Sequence, residues 1–363
     1  MKRSPLRAVP EGVRLLVERF PEWKLDALLV SALPNIRYLT GFTGSNALLA
    51  ITPGGVLLFT DPRYEIQARE QAGCPVKVVR GPLTAAANAW IARQRLKRVG
   101  FEKSRLLYSD YAALKEALPL GASLIAVAGW VEQLRMVKSE EEIGRIRQSV
   151  LTNSAALAAS LPRIRAGISE NDVAAELEYQ MRLHGAEKAA FDTIVAAGER
   201  TALPHAEPGP RLIEANQLLL IDMGASQAGY ASDMTRMFVL GKIGGRLRRI
   251  FNAVRKAQLA GIDSVRAGVT AGQVDRRARQ VLQSEGLGKA FVHSTGHGLG
   301  LEIHEAPRIG KKDETALRAG MVITIEPGAY IDGLGGVRIE DTVLVTSIGC
   351  EVLTPTPKEL ISL

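Results

Sequence analysis

The sequence predicts two domains, an α/β layer over residues 1–130 followed by an α+β domain over residues 131–363. Three observations lead there. A chain of 363 residues exceeds one core, because domains hold roughly 100–200 residues each. Its first third alternates short apolar runs with helical stretches, the pattern of an α/β layer. Beyond Val131, long helical repeats interleave with apolar runs that pair as antiparallel hairpins, and the boundary is expected around residues 127–138.

In the first domain Ala27–Val30, Ala47–Ile51, Val56–Phe59 and Val76–Val79 read as strands bounded by Pro, Gly and Asn. Asp61–Ala72 and Thr84–Lys97 read as helices between them. The second domain opens with a capping box, Ser139-Glu-Glu-Glu142, followed by Ile143, Ile146, Val150, Leu157 and Leu161 at helical spacing. A second helix opens at Ser169 and stops at Gly185, with His184 read as a helix C-terminal residue. A third spans Arg246–Arg266, and a fourth runs from Thr270 to about Gly286. Strands are expected at Thr193–Ala197, Gln217–Met223, Tyr230–Leu240, Val322–Glu326 and Val337–Thr346.

Composition narrows the function classes. With 46% hydrophobic and 23% charged residues the chain can bury a sizeable core, which excludes collagen-like, disulfide-scaffold and disordered classes. Apolar runs such as Leu218–Ile221 fall far short of the roughly 20 residues a membrane span needs. The net charge of +8 is scattered in clusters such as Arg95–Arg98 and Arg246–Arg249, and only 5% of residues are aromatic. A solvated basic surface is expected, without nucleic-acid binding. The N-terminal stretch Met1–Arg7 is basic, but Arg14, Glu18 and Arg19 interrupt any signal-peptide apolar region. Cys74 and Cys350 lie in no ligand or redox motif, so two reduced thiols and a cytoplasmic location are expected.

The chemistry-bearing residues concentrate in the second domain. Leu218–Met223 is an apolar strand carrying Asp222 near its end, and the next run carries Asp233. A hairpin turning about Gln227 and Ala228 would make these acids cross-strand neighbours. Glu326 ends another apolar strand, and Arg338 and Glu340 fall on one face of the next by the period-two rule. Buried carboxylates raise one another's pKa unless a positive group sits between them. Arg338 is one such group and a divalent metal is a stronger one. Three of the five histidines, His293, His297 and His304, fall within twelve residues among Gly296, Gly298 and Gly300. Those glycines exclude a helical zinc motif and fit a backbone that approaches a ligand closely. Four strand-borne acids with this cluster favour an oxygen-rich site for two metals.

These motifs resemble the pita-bread metallopeptidases, and within them the Xaa-Pro peptidases, aminopeptidase P and prolidase. The resemblance is carried by Ile221–Gly224, Ser232–Arg236, His293–Gly300, Ile303–Pro307, Thr324–Gly328 and Arg338–Asp341. It implies a pita-bread catalytic domain in which Asp222, Asp233, His297, Glu326 and Glu340 hold two divalent ions. Asp233 and Glu340 would bridge both. It further implies Glu326 as proton acceptor, and His304 and His205 at the scissile carbonyl. His293, Arg338 and Tyr330 would stand near the substrate. Four carboxylates and one imidazole suit a hard ion, so Mn²⁺ is expected first, with Zn²⁺ or Co²⁺ fitting the same ligands. Asn35–Ser45 and Thr60–Tyr64 resemble the creatinase-type N-terminal domain of bacterial aminopeptidase P, with Pro62 where that family usually has Gly. The expected activity is removal of an N-terminal residue before proline, with the prolidase reading, restricted to dipeptides, beside it. Proline-containing peptides are the expected partners, in a homodimer. Creatinase-like, methionine aminopeptidase and non-enzymatic binding readings fit the ligand set and N-terminal domain less well.

Overall fold

Residues 11–363 are described in the computed structural model, so the basic stretch Met1–Arg7 lies outside them. The chain divides into two compact units, one running to Arg135 and the other spanning Met136–Leu363.

The first unit is built on a mixed six-stranded sheet: β1 (Ala27–Val30), β2 (Ala47–Thr52), β3 (Gly55–Thr60), β4 (Val76–Val78), β5 (Arg98–Glu102) and β6 (Ser123–Val127). Their spatial order is β4-β3-β2-β1-β5-β6. The strands read as near-continuous apolar runs because both faces are covered. Leu28, Val30, Leu49 and Ile51 enter one buried cluster, while Ala27, Leu29, Leu48 and Ala50 enter another on the opposite face. The expected helix at Asp61–Ala72 divides into a 3-10 turn at Pro62–Tyr64 and an α-helix at Glu65–Gln71. Pro62 suits the opening of that turn, where a missing N–H costs nothing. Asp61 caps it, accepting from Arg63 N at 2.9 Å, and its bonds from Arg63 and Asn46 hold its carboxyl well below the usual range. Helices at Leu33–Thr40 and Tyr108–Glu116 and strands β5 and β6 were not read from the sequence.

The second unit is an α+β pita-bread fold. Its strands are β7 (Lys188–Ala189), β8 (Ile194–Ala197), β9 (Gln217–Met223), β10 (Ala225–Gln227), β11 (Tyr230–Ala231), β12 (Met234–Leu240) and β13 (Gly296–Gly298). There follow β14 (Glu305–Ile309), β15 (Val322–Ile325), β16 (Gly328–Ile331), β17 (Gly335–Arg338), β18 (Asp341–Val345), β19 (Cys350–Val352) and β20 (Ile361–Ser362). They form sheets of order β11-β10-β7, β20-β12-β9-β8, β14-β13-β15-β18-β19 and β16-β17. Helices Glu140–Ser160, Glu170–Leu183, Gly245–Asp263 and Ala271–Ser284 cover them. Capping boxes at Ser139/Glu142, Ser169/Asp172 and Thr270/Gln273 open three of these helices. Gly261 lets its helix lie close to the sheet, since a Cβ there would stand 2.9 Å from Ile325 Cγ2.

Two sequence expectations are corrected here. The hairpin turns at Ala228 and Gly229, both at positive φ, and Asp222 therefore faces Thr235, not Asp233. A two-residue turn of this kind needs positive φ at both central positions, which places Gly229 inside it. Strand alternation also fails to carry across the acids. The expected strand at Tyr230–Leu240 breaks at Ser232–Asp233, and that at Val337–Thr346 breaks at Ile339–Glu340. Each acid sits where the chain leaves one sheet for another.

Candidate metal centre

The breaks aim the acids into one cavity. It measures about 680 Å³ and is lined by Asp222, Asp233, Glu326 and Glu340 together with His205, His293, His297, His304 and Arg338. Among the described residues, Asp233, His297 and Glu340 offer ligand atoms within 4.8 Å of one another. His297 Nε2 stands 3.5 Å from Asp233 Oδ2 and 3.6 Å from Glu326 Oε1. Asp222 joins from β9, where it is 8% exposed.

Backbone proximity explains the glycines of the histidine motif. A Cβ at Gly296 would lie 1.9 Å from Thr324 O, and one at Gly298 would lie 2.3 Å from Ala306 O. Only glycines let β13 run between β14 and β15, and that passage brings His297 to the acids. His297 Nδ1 bonds Gly298 O at 3.0 Å. The Nδ1 therefore donates to the backbone, and Nε2 is the nitrogen turned toward the carboxylates. A backbone-held Nδ1–H with Nε2 facing the acids is the orientation of a metal-ligating imidazole.

The electrostatics is lopsided. Burial, then the charges of Asp222 and Glu326, push the Asp233 carboxyl well above its usual range. Burial and Asp233 do the same to Glu340. Glu326 is raised chiefly by burial, with His297 and Arg338 opposing. One cation faces them directly: Arg338 Nη2 donates to Asp222 Oδ2 at 2.6 Å. Asp222 Oδ1 and Glu340 Oε1 are buried with no hydrogen-bond partner. Orphaned buried carboxylate oxygens are costly, and they mark a place where a cation belongs. The donor set therefore fits divalent metal.

Around the acids runs a connected polar network. Arg338 also donates through Nε to Thr235 Oγ1 at 3.1 Å, and through Nη1 to Pro204 O at 3.0 Å and Tyr330 Oη at 2.8 Å. Thr235 in turn donates to Glu340 Oε2 at 2.8 Å. With its oxygen accepting from Arg338, Tyr330 gives its own proton to His293 Nε2 at 2.9 Å. His293 Nδ1 then donates to Ser294 O. The ring is neutral, and burial lowers its pKa to about 4. Burial and the neighbouring His297 and His205 lower the pKa of His304, whose ring lies edge-on to His297 at 4.5 Å.

All the sequence-derived site residues meet here, although Tyr330 stands behind Arg338 and His293 and does not line the cavity. His184 lies apart, its Nδ1 bonded to Gln180 O at the end of its helix. Sequence reasoning missed the cavity residues Phe191, Ile194, Ile303 and Arg308. Arg308 had a signal, being a cation four residues past His304 and directly after the Ile303–Pro307 motif.

A carboxylate-and-imidazole site built at the strand breaks of this fold defines a metallopeptidase, and the chain belongs to metallopeptidase family M24, which matches residues 144–347. Residues 13–137 match the creatinase/prolidase N-terminal domain. The chain is 38% identical to an Xaa-Pro dipeptidase of Pyrococcus horikoshii, over 97% of this chain and 99% of that one. An Xaa-Pro dipeptidase structure from Bacillus anthracis matches with a TM-score of 0.94 at 40% identity, covering 97% and 99% of the two chains. An X-Pro aminopeptidase structure from Thermotoga maritima matches at 0.88 and 35% identity, covering 95% and 100%.

Proposed function

We propose that this protein is an Xaa-Pro dipeptidase with a dinuclear metal centre, hydrolysing the bond between an N-terminal residue and proline. The observation that carries the reading is the cavity in which four acids and one imidazole converge with buried carboxylate oxygens unpartnered. Asp222, Asp233, His297, Glu326 and Glu340 would hold two divalent ions, with Mn²⁺ favoured by the excess of hard oxygen donors. Such a pair supplies Lewis-acid polarisation and an acidified water.

The chain's own residues supply the rest. Glu326 is the carboxylate placed to take up a proton at its Oε. His304 and His205 line the cavity as ring N–H donors to the carbonyl oxygen, and burial disfavours a charge on His304. Arg338 spends four hydrogen bonds on Thr235, Pro204, Tyr330 and Asp222, so it holds Asp222 and the Pro204–His205 segment in place. His293 and Tyr330 extend that support. The Xaa-Pro bond has no N–H, and the cavity's apolar lining of Phe191, Ile194 and Ile303 suits the ring without asking for one.

Substrate length is the finer point. On the sequence alone, Tyr38–Ser45 favours aminopeptidase P. The dipeptidase names of the relatives, together with Arg308 lining the cavity, favour a substrate whose free carboxylate lies next to the proline ring. The Thermotoga maritima structure keeps the longer-peptide reading as the second. The half-buried thiols Cys74 and Cys350 are both free, and a cytoplasmic location belongs to this proposal on the sequence reading alone. Among the described residues no helix is long and apolar enough to cross a membrane. The homodimer belongs to this proposal on the family resemblance.

The test is hydrolysis of Xaa-Pro and Xaa-Pro-Yaa-Zaa by metal-stripped protein before and after Mn²⁺ is added. Metal-dependent cleavage of the dipeptide alone supports the reading. Release of the first residue from the tetrapeptide establishes the aminopeptidase instead, and no cleavage of either with metal bound overturns both.

A further inference from the structure

We propose that Arg236 is a positioning residue for the metal centre, clamping the chain segments of Asp233 and Glu340 to the C-terminal stretch Thr356–Lys358. The inference rests on the metal-site reading above.

Arg236 lies three residues past Asp233 on β12 and is 2% exposed. Its Nε donates to Pro357 O at 2.9 Å; Nη1 donates to Thr235 O at 3.0 Å and to Glu340 O at 2.5 Å. Nη2 donates to Asp341 Oδ1 and Thr356 O, both at 2.6 Å. A guanidinium has five N–H donors in one plane, and here all five are spent on three separate chain segments. Asp341, fully buried, receives at its other oxygen Gln258 Nε2 at 2.8 Å and Lys358 Nζ.

The acids need such a clamp because the ladders stop at them. Asp233 lies between β11 and β12, and Glu340 between β17 and β18. What replaces the ladders is cross-bonding. Glu340 N donates to Thr235 O at 3.2 Å, and Thr342 Oγ1 donates to Asp233 O at 2.9 Å. The tail is tied to the same two segments. Thr342 N donates to Thr354 Oγ1 at 3.0 Å, and β20 pairs in parallel with β12. Neither Arg236, Asp341, Gln258 nor Lys358 lines the cavity, so their effect reaches it only through the ligands they hold. A buried ion pair that merely stabilises the fold would need the charge. A clamp needs the planar fork, and lysine, a point charge with three donors, cannot reproduce it.

The test measures Mn²⁺ affinity by titration against a competing chelator for the full-length protein, Arg236→Lys and Lys358→Met. Apo melting temperatures and hydrogen exchange of residues 353–363 are followed in parallel. Loss of support behind metal ligands weakens affinity about 10–100-fold, and that range is expected for Arg236→Lys. Lys358→Met, which removes one of Asp341's partners at a partly exposed position, should weaken it a few-fold and leave the KM for dipeptide at saturating Mn²⁺ unchanged. Mn²⁺ should slow exchange of residues 353–363 in the wild type and do so less in Arg236→Lys. Should Arg236→Lys fail to fold, Lys358→Met carries the test alone. Affinities within twofold of wild type, whatever happens to the melting temperature, would reduce Arg236 to a structural ion pair. A wild type that binds no Mn²⁺ would instead remove the metal centre itself.

Discussion

Asp233→Asn separates what the site does for the metal from what it costs the fold. Ligand atoms of Asp233, His297 and Glu340 lie within 4.8 Å of one another, a distance at which two unit charges repel by roughly 3.5 kcal/mol at an effective dielectric of about 20. Proton uptake by the raised carboxyls relieves part of this, so the metal-free variant should be more stable than metal-free wild type by somewhere between zero and that figure. Metal reverses the order. A ligand at 100 times its Kd adds about 2.7 kcal/mol, and domains of this size gain about 2–4 °C per kcal/mol, so Mn²⁺ should raise the wild-type melting temperature by about 5–11 °C. The variant, lacking one carboxylate donor, should show a small fraction of that shift at the same Mn²⁺ concentration. Calorimetry of both proteins with EDTA and with Mn²⁺ reads all four numbers. A full metal shift in the variant, or a metal-free variant that melts well below metal-free wild type, would refute the reasoning.

Three further outcomes are expected. Arg308→Gln should raise the KM for an Xaa-Pro dipeptide far more than that for a longer peptide; equal effects on the two would deny Arg308 a role at the free carboxylate. His293 stays neutral until about pH 4, whereas in the unfolded chain it charges near 6.5. The unfolded state therefore binds the extra proton as pH falls. The His293 contribution is intact above about pH 6.5, and about 3 kcal/mol is lost by pH 4. Urea midpoints of metal-free wild type and His293→Gln should draw apart over that window in the variant's favour, and a constant difference would count against it. Gly298→Ala would bring its Cβ to 2.3 Å from Ala306 O, so about 1–3 kcal/mol of stability should go. Mn²⁺ binding should weaken with it, since His297 is the adjoining residue; an unchanged Mn²⁺ titration would show that β13 can shift without moving the ligand.

Local signals were legible because they depend on neighbours in the chain. Capping boxes at Ser139 and Thr270 open their helices because each pairs a hydroxyl with a Glu or Gln three residues on. The apolar runs at β1, β2 and β9 are strands buried on both faces. Within the site, the acids and histidines could be named from motifs because few residue types offer hard, charged ligands. The hairpin register was misplaced, since the shift that puts Asp222 opposite Thr235 depends on which residues adopt positive φ. The helix at Tyr108–Glu116 was not read because its amphipathic pattern is weak and only Leu114 is buried.

The sequence by itself determined the chemistry available: four carboxylates at the ends of apolar runs, an imidazole between glycines, and an arginine to hold one acid. Tertiary structure alone decided where those groups point. Asp233 and Glu340 sit in strand breaks that period-two reasoning cannot foresee, because a break arises only when the chain passes from one sheet to another. Arg236 shows the same division. Its place in Ser232–Arg236 is plain in the sequence, but the carbonyls of Glu340, Thr356 and Pro357 that it binds lie more than a hundred residues away. A contact between segments that far apart is set by how whole sheets pack, and no local pattern encodes it.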